Sequence, residues 1–99
     1  MHRHIVINGK TVILKPINFA AICELEEYGF SVTGIKDKTF SSIRAGVAYH
    51  MGVNPEQAGA EIEAHIMNGG KLADFFPIIE TITESDFFQA LTQNTESKE

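Results

Sequence analysis

Four histidines and one cysteine are the side chains of this sequence best suited to bind a metal or act as nucleophiles. His2 and His4 flank an arginine and together offer two metal donors, whereas a zinc site takes three or four protein ligands. His50 and His65 fall in different predicted helices, and neither has a histidine, cysteine or carboxylate four residues further on. The histidines therefore predict no metal site.

Glu61 precedes His65 by four residues, so the two side chains share one face of a predicted helix. Such a pair is more often a surface contact than a ligand set. Cys23 lies beside the apolar positions of another helix, without a nearby positive charge to favour a reactive thiolate, and is expected to be a small buried hydrophobe. No GxGxxG, P-loop or CxxC motif occurs. We predict that the protein is not an enzyme and binds no cofactor.

Two phenylalanine doublets, Phe75-Phe76 and Phe87-Phe88, are the feature best suited to binding another protein. Adjacent helical residues point about 100° apart, so both rings of a doublet cannot fill one narrow apolar stripe. Either the helix is covered on two sides, which the usual burial of aromatic residues favours, or one ring of each doublet is exposed for docking. In the docking interpretation, a polar residue at Phe75 or Phe88 weakens partner binding more than folding.

The elements that position these residues begin with a predicted β-hairpin at about residues 4–15. Asn8-Gly9 lies between two β-branched runs, and this dipeptide favours the type I′ turn of a tight hairpin. A turn at these residues pairs Ile5 with Val12. It also places four apolar side chains on one face of the hairpin: Ile5, Ile7, Val12 and Leu14.

Helical patterns follow the hairpin. Asn18 is a good N-cap for a first helix, a second begins between residues 37 and 39, and Asn54 followed by Pro55 starts a third. A last helix runs from about residue 71 to 91, and Pro77 predicts a kink or a break within it. The positions expected to face the core are Phe19, Ile22 and Leu25 in the first helix, Phe40, Ile43, Val47 and Met51 in the second, and Ala58, Ile62 and Ile66 in the third.

The 99 residues predict a small single domain that is mainly α, with four to five helices and an N-terminal β-hairpin. We expect this domain to occupy residues 1–92 and a flexible tail to occupy residues 93–99. Residues 1–50 contain six Lys/Arg and four Asp/Glu, whereas residues 51–99 contain two and nine. The acidic half would repel a phosphate backbone, and no apolar run approaches the ~20 residues that span a bilayer. We expect neither nucleic acid nor a membrane as partner.

The order of these segments resembles that of the small tail assembly chaperones of long-tailed, non-contractile bacteriophages. The shared layout is a short strand, an Asn-Gly-Lys turn, a second strand and a helix with the pattern Leu-Glu-Glu-x-Gly. These segments lie here at Ile5 to Lys10 and at Cys23 to Phe30. A helix rich in Glu and Ala at residues 55–67 and a closing apolar helix are also similar, and the resemblance covers about residues 4–92.

The resemblance implies a protein that binds the tape measure protein and keeps it soluble while the tail tube protein is recruited. The uneven charge of the two halves separately permits head-to-tail contacts between copies, which would build open chains along a client. The chaperones that the chain resembles work in the cytoplasm of the infected bacterium and are not expected in the mature virion. Many families also make a longer form by ribosomal frameshifting. The alternatives are a structural phage protein, such as a head–tail connector or tail completion protein, and a small regulator that binds and masks another protein.

Overall fold

The structure is a computed structural model that describes residues 4–30 and 39–90. It is mostly helical with a two-stranded antiparallel hairpin at its N-terminal end, which confirms the predicted fold class. The second helix begins at Thr39, within the predicted range of residues 37–39. The predicted end of the last helix at residue 91 and the predicted tail at 93–99 lie outside the described residues. The elements are β1 (His4–Ile7), β2 (Lys10–Ile13), α1 (Phe19–Glu27), α2 (Thr39–Met51), α3 (Pro55–Met67), a 3-10 helix (Leu72–Phe75) and α4 (Phe76–Thr83).

The hairpin has the predicted turn and register. Asn8 and Gly9 have φ angles of 54° and 80°, and a type I′ turn requires positive φ at both central residues. Ile5 pairs with Val12, as the position of the turn predicts. Because side chains alternate along a strand, one face of the hairpin packs on the helices and the other meets solvent. The buried residues are Ile5, Ile7, Val12 and Leu14, and the exposed hydrophobic ones are Val6 and Ile13.

The predicted helix caps are present. The side chain of Asn18 accepts a hydrogen bond from the Ala21 N–H at 2.9 Å at the start of α1. At the start of α3, Asn54 and Gln57 form a reciprocal capping box, and Pro55 follows the cap. These side chains satisfy backbone N–H groups that the first turn of a helix leaves without partners.

α2 is the central helix and contacts α1, α3, α4 and β2. A Cβ added at Gly46 would overlap the side chain of Ile78 on α4, so this position needs the absence of a side chain. Ala45 and Ala48 are also completely buried. These small residues let neighbouring helices approach the backbone of α2 closely. The buried surface of α2 is therefore wider than the predicted apolar stripe.

Three residues that the helical pattern assigned to the core are exposed instead. Phe19, Phe40 and Ile66 each lie in the first or last turn of a helix, where their side chains are only partly covered. The prediction that Cys23 is buried is also wrong, because its side chain is exposed on α1. Cys23 follows the buried Ile22 by one residue and is therefore turned about 100° away from the face that packs inward.

The last helical segment is interrupted twice, in agreement with the expected kink or break. The 3-10 helix gives way to α4 at Phe76, and Pro77 lies in the first turn of α4, where its missing N–H removes no helical hydrogen bond. α4 ends at Thr83. The Ser85 hydroxyl then accepts a hydrogen bond from the Phe88 N–H at 3.2 Å and caps the helical residues 86–90.

Candidate protein-binding surfaces

The first phenylalanine doublet spans the junction between the 3-10 helix and α4. Phe75 is fully buried, and its ring meets the His65 ring edge-to-face with 5.0 Å between centroids. Phe76 begins α4 and is 45% exposed. One ring of the doublet therefore anchors the chain, and the other lies at the surface.

The second doublet is divided in the same way. Phe88 is buried, whereas Phe87 is half-buried and packs edge-to-face against Phe19 with a centroid distance of 6.1 Å and an interplanar angle of 81°. Phe19 itself is 65% exposed. The two rings form an aromatic pair at the surface that joins the start of α1 to the segment after α4.

These positions change the choice of docking residues. Phe75 and Phe88 belong to the core, so polar substitutions there should weaken folding at least as much as binding. Phe76 and Phe87 remain candidates. Phe19 was not predicted to be a surface residue, because its spacing matches the core stripe of α1. Its position as the first residue of the helix is the signal that could have identified it.

His65 fixes the hairpin turn and the 3-10 helix against α3. The Asn8 N–H donates to Nδ1 at 2.9 Å, so the ring proton is on Nε2, which donates to Asp74 Oδ2 at 2.8 Å. The Lys71 N–H also donates to Asp74, and these two hydrogen bonds lower the pKa of the Asp74 carboxyl. Both imidazole nitrogens have partners, so His65 is not arranged as a metal ligand or base. It positions the 3-10 helix that carries Phe75.

Glu61 provides a second connection between α3 and the hairpin. Its Oε1 accepts from the Asn8 side-chain amide at 3.2 Å, and its Oε2 pairs with Lys10 Nζ at 2.7 Å. The hydrogen bond from Lys10, followed by that from Asn8, lowers the pKa of Glu61. Although it precedes His65 by one helical turn, Glu61 bonds to the hairpin, so the two residues act as separate links to the same turn.

His50 lies near the C-terminal end of α2 and is only 6% exposed. Its Nδ1 accepts a hydrogen bond from the Lys15 N–H at 2.9 Å, and its Nε2 has no partner among the described residues. Burial, reinforced by the charge of Lys15, lowers the pKa of His50 to about 4. The ring is therefore neutral at pH 7. It lines an open groove of about 370 Å³ beside β2.

A second groove, of about 260 Å³, lies between α2 and α3. Its walls include the exposed ring of Phe40, the half-buried Ile62 and the charged side chains of Arg44 and Glu63. The groove thus offers an apolar surface between charges of opposite sign. It is a weaker candidate than the doublets, because a single exposed ring is common on protein surfaces.

In the parts of the chain that the structure describes, no three His, Cys, Asp or Glu side chains are placed to hold a metal ion. No helix in the same parts is both long and apolar enough to cross a membrane. No protein-family model, curated protein or solved structure matches the chain. The functional inference therefore depends on the resemblance of the sequence and on the geometry of these surfaces.

Proposed function

We propose that the protein is a tail assembly chaperone of a long-tailed bacteriophage, which binds the tape measure protein and keeps it soluble while tail tube protein is recruited. The order of strand, Asn-Gly turn, strand and acidic helix supports this proposal. The observation that carries it is the pairing of exposed rings with anchored ones. Phe19 packs edge-to-face on Phe87, which holds its ring in place before a partner binds. Phe76 directly follows the buried Phe75, so its backbone is fixed by the core while its ring is 45% exposed.

Such rings suit an apolar helical client. An aromatic side chain buries roughly 150–250 Å² when fully covered, and a ring that is already ordered loses little conformational entropy on binding. A few rings give one copy only a modest contact area, so a long client would be covered by many copies. The net charge of −5 then keeps the complex soluble through mutual repulsion.

Co-expression with the tape measure protein of the same phage tests the proposal. The wild-type protein should raise the soluble fraction of tape measure protein, and Phe76→Ser and Phe19→Ser should each reduce that fraction several-fold. Because its ring lies at the surface, Phe76→Ser should change the free energy of unfolding by no more than about 1 kcal/mol. Phe19→Ser should cost about 0.5–1.5 kcal/mol, since it also removes the ring contact with Phe87. Val6→Ser is the matched control, since Val6 is 51% exposed on the outer face of the hairpin.

The outcomes distinguish a wrong function from a wrong choice of binding surface. If the wild-type protein leaves the tape measure protein insoluble, the chaperone proposal is wrong. If it works but Phe76→Ser and Phe19→Ser behave like Val6→Ser, the chaperone uses another surface. Mass spectrometry of purified virions should detect none of the protein, whereas a stoichiometric amount would favour the head–tail connector or tail completion alternative.

A further inference from the structure

β2 has one edge that is not paired with any strand among the described residues. In a hairpin with a two-residue turn, the residues flanking the turn form a hydrogen-bonded pair, and bonded and non-bonded pairs then alternate. The backbone N–H and C=O groups of Lys10 and Val12 therefore bond to β1. Thr11 and Ile13 direct their backbone N–H and C=O groups away from β1, toward the free edge.

The two edges of the sheet have different surroundings. β1 contacts α3 and the 3-10 helix, whereas β2 contacts α2 and borders the open groove of about 370 Å³. Residues 10–13 form one wall of this groove, and Lys15, His50 and Met51 complete it. Proteins usually cover or blunt such an edge, because its unpaired backbone groups are a template for another strand. Among the described residues no strand pairs with this edge, and the side chains of Thr11 and Ile13 are exposed.

The far end of the groove supplies polar groups of its own. The Lys15 N–H, two residues beyond Ile13, is already bonded to His50 Nδ1, so the free edge ends there. The other nitrogen of His50 is a buried donor without a partner among the described residues. This nitrogen is buried within the fold, so the pairing groups offered to an occupant of the groove are the backbone groups of Thr11 and Ile13.

The charges around the groove favour one kind of occupant. Lys10 and Lys15 both line it. Lys10 pairs with Glu61 but remains more than half exposed, and Lys15 Nζ lies 4.4 Å from the Tyr49 ring centroid. Within residues 4–30 and 39–90, no carboxylate forms an ion pair with Lys15. A second copy of β2 would bring two further lysines to this edge, whereas an acidic strand would be attracted to it.

We propose that the free edge of β2 binds an extended, acidic segment of a partner protein as a third strand. The backbone groups of Thr11 and Ile13 pair with the segment, and Lys10 and Lys15 select its carboxylates. The inference does not depend on the chaperone function, since the proposed docking rings lie on α1, on α4 and after α4. It adds a second binding mode, in which the protein recognises an extended backbone and negatively charged side chains.

Two capped hexapeptides of alternating valine and polar residues serve as probes, one with two glutamates and the other with glutamines in their place. Titration into ¹⁵N-labelled protein should shift the amide signals of Thr11 and Ile13 and slow their hydrogen exchange, with smaller changes at Val12, whose N–H already bonds to β1. The glutamate peptide should bind about 2–5-fold more tightly than the glutamine peptide. Lys15→Met should remove most of that difference.

Two substitutions at one position separate backbone pairing from side-chain contact. Ile13→Pro deletes an outward N–H that makes no bond within the hairpin, and proline is tolerated at such edge positions. It should weaken both peptides by about 2–10-fold, as expected for one lost hydrogen bond, whereas Ile13→Thr should not. If Ile13→Pro does not fold, slower hydrogen exchange at Thr11 and Ile13 of the wild-type protein on peptide binding tests for backbone pairing instead.

Three results would overturn the proposal. The first is the absence of shifts at Thr11 and Ile13 at millimolar peptide, and the second is unchanged binding by folded Ile13→Pro. The third is a wild-type dimer that forms without peptide and becomes monomeric in Ile13→Pro, since this result would assign the edge to a second copy of the chain.

Discussion

The imidazole of His50 meets different surroundings in the folded and the unfolded chain. In the unfolded chain it binds a proton as the pH falls through its ordinary pKa of 6.5, whereas in the folded chain it stays neutral down to about pH 4. Between these values the unfolded state binds more protons, so the free energy of unfolding falls as the pH is lowered from 6.5 to 4. The full loss is on the order of 3 kcal/mol.

Urea unfolding of the wild-type protein and of His50→Gln at pH 7, 6 and 5 measures this effect. The wild-type protein should lose more stability than the variant over this range, while the other histidines cancel in the comparison. Glu61 and Asp74 have lowered pKa values, so their contribution is present above the ordinary carboxyl pKa and is lost only at more acidic pH. Parallel stability curves for the two proteins would show that His50 does not titrate as the buried position requires.

The phenylalanine doublets show how far the burial of an individual side chain can be predicted from the sequence. Their spacing indicates that two rings cannot share one stripe, but it does not say which ring is buried. That choice depends on the phase of the helix, because a shift of one residue turns a side chain by about 100°. The change from the 3-10 helix to α4 at Phe76 sets the phase, so that Phe75 meets His65 and Phe76 meets solvent.

At the scale of the elements, the contact between α2 and α4 depends on Gly46. A Cβ there would overlap the Ile78 side chain, so Gly46→Ala should push the helices apart and destabilise the protein by about 1–3 kcal/mol. Gly59 on α3 is the matched control, because a Cβ at this position would meet only Arg44 Cδ, at 3.7 Å. Gly59→Ala should instead stabilise the fold by about 0.5–1 kcal/mol, since alanine is the better helix former.

Thermal and urea unfolding of the two alanine variants provides the comparison. Opposite signs of the stability change are expected. If Gly46→Ala were as stable as Gly59→Ala, the two helices would not be packed as closely as the structure has them. Circular dichroism at low temperature checks that both variants keep their helix content, so that the difference reports packing and not a loss of fold.

Elements were predictable from the sequence where local chemistry determines them. The Asn8-Gly9 turn and the caps at Asn18 and Asn54 depend on residues within a few positions of one another, and all three were predicted. The burial of a side chain, in contrast, depends on which other elements pack against its helix or strand. The sequence therefore could not show that the Phe40 ring is exposed on α2, or that α4 packs closely against α2 at Gly46.

At the scale of the whole molecule, the distribution of charge favours contact between unlike halves of two copies. Residues 1–50 carry a balance of +2 and residues 51–99 a balance of −7. A contact between the first half of one copy and the second half of the next is head-to-tail, and such contacts build open chains when their rotation does not close a ring. An extended client with repeated sites would suit an assembly of this kind.

Light scattering at low and high salt tests this self-association. At high protein concentration and low ionic strength the mean mass should exceed that of the 10.9 kDa monomer. In 1 M salt the mass should return to the monomer value, because the Debye length falls to about 3 Å and exposed charges no longer attract across the contact. Glu84→Lys, at an exposed position in the acidic half, should shift the transition to lower salt. A strict monomer at low salt would contradict the expectation, and association that persists in 1 M salt would point to an apolar contact between the exposed rings.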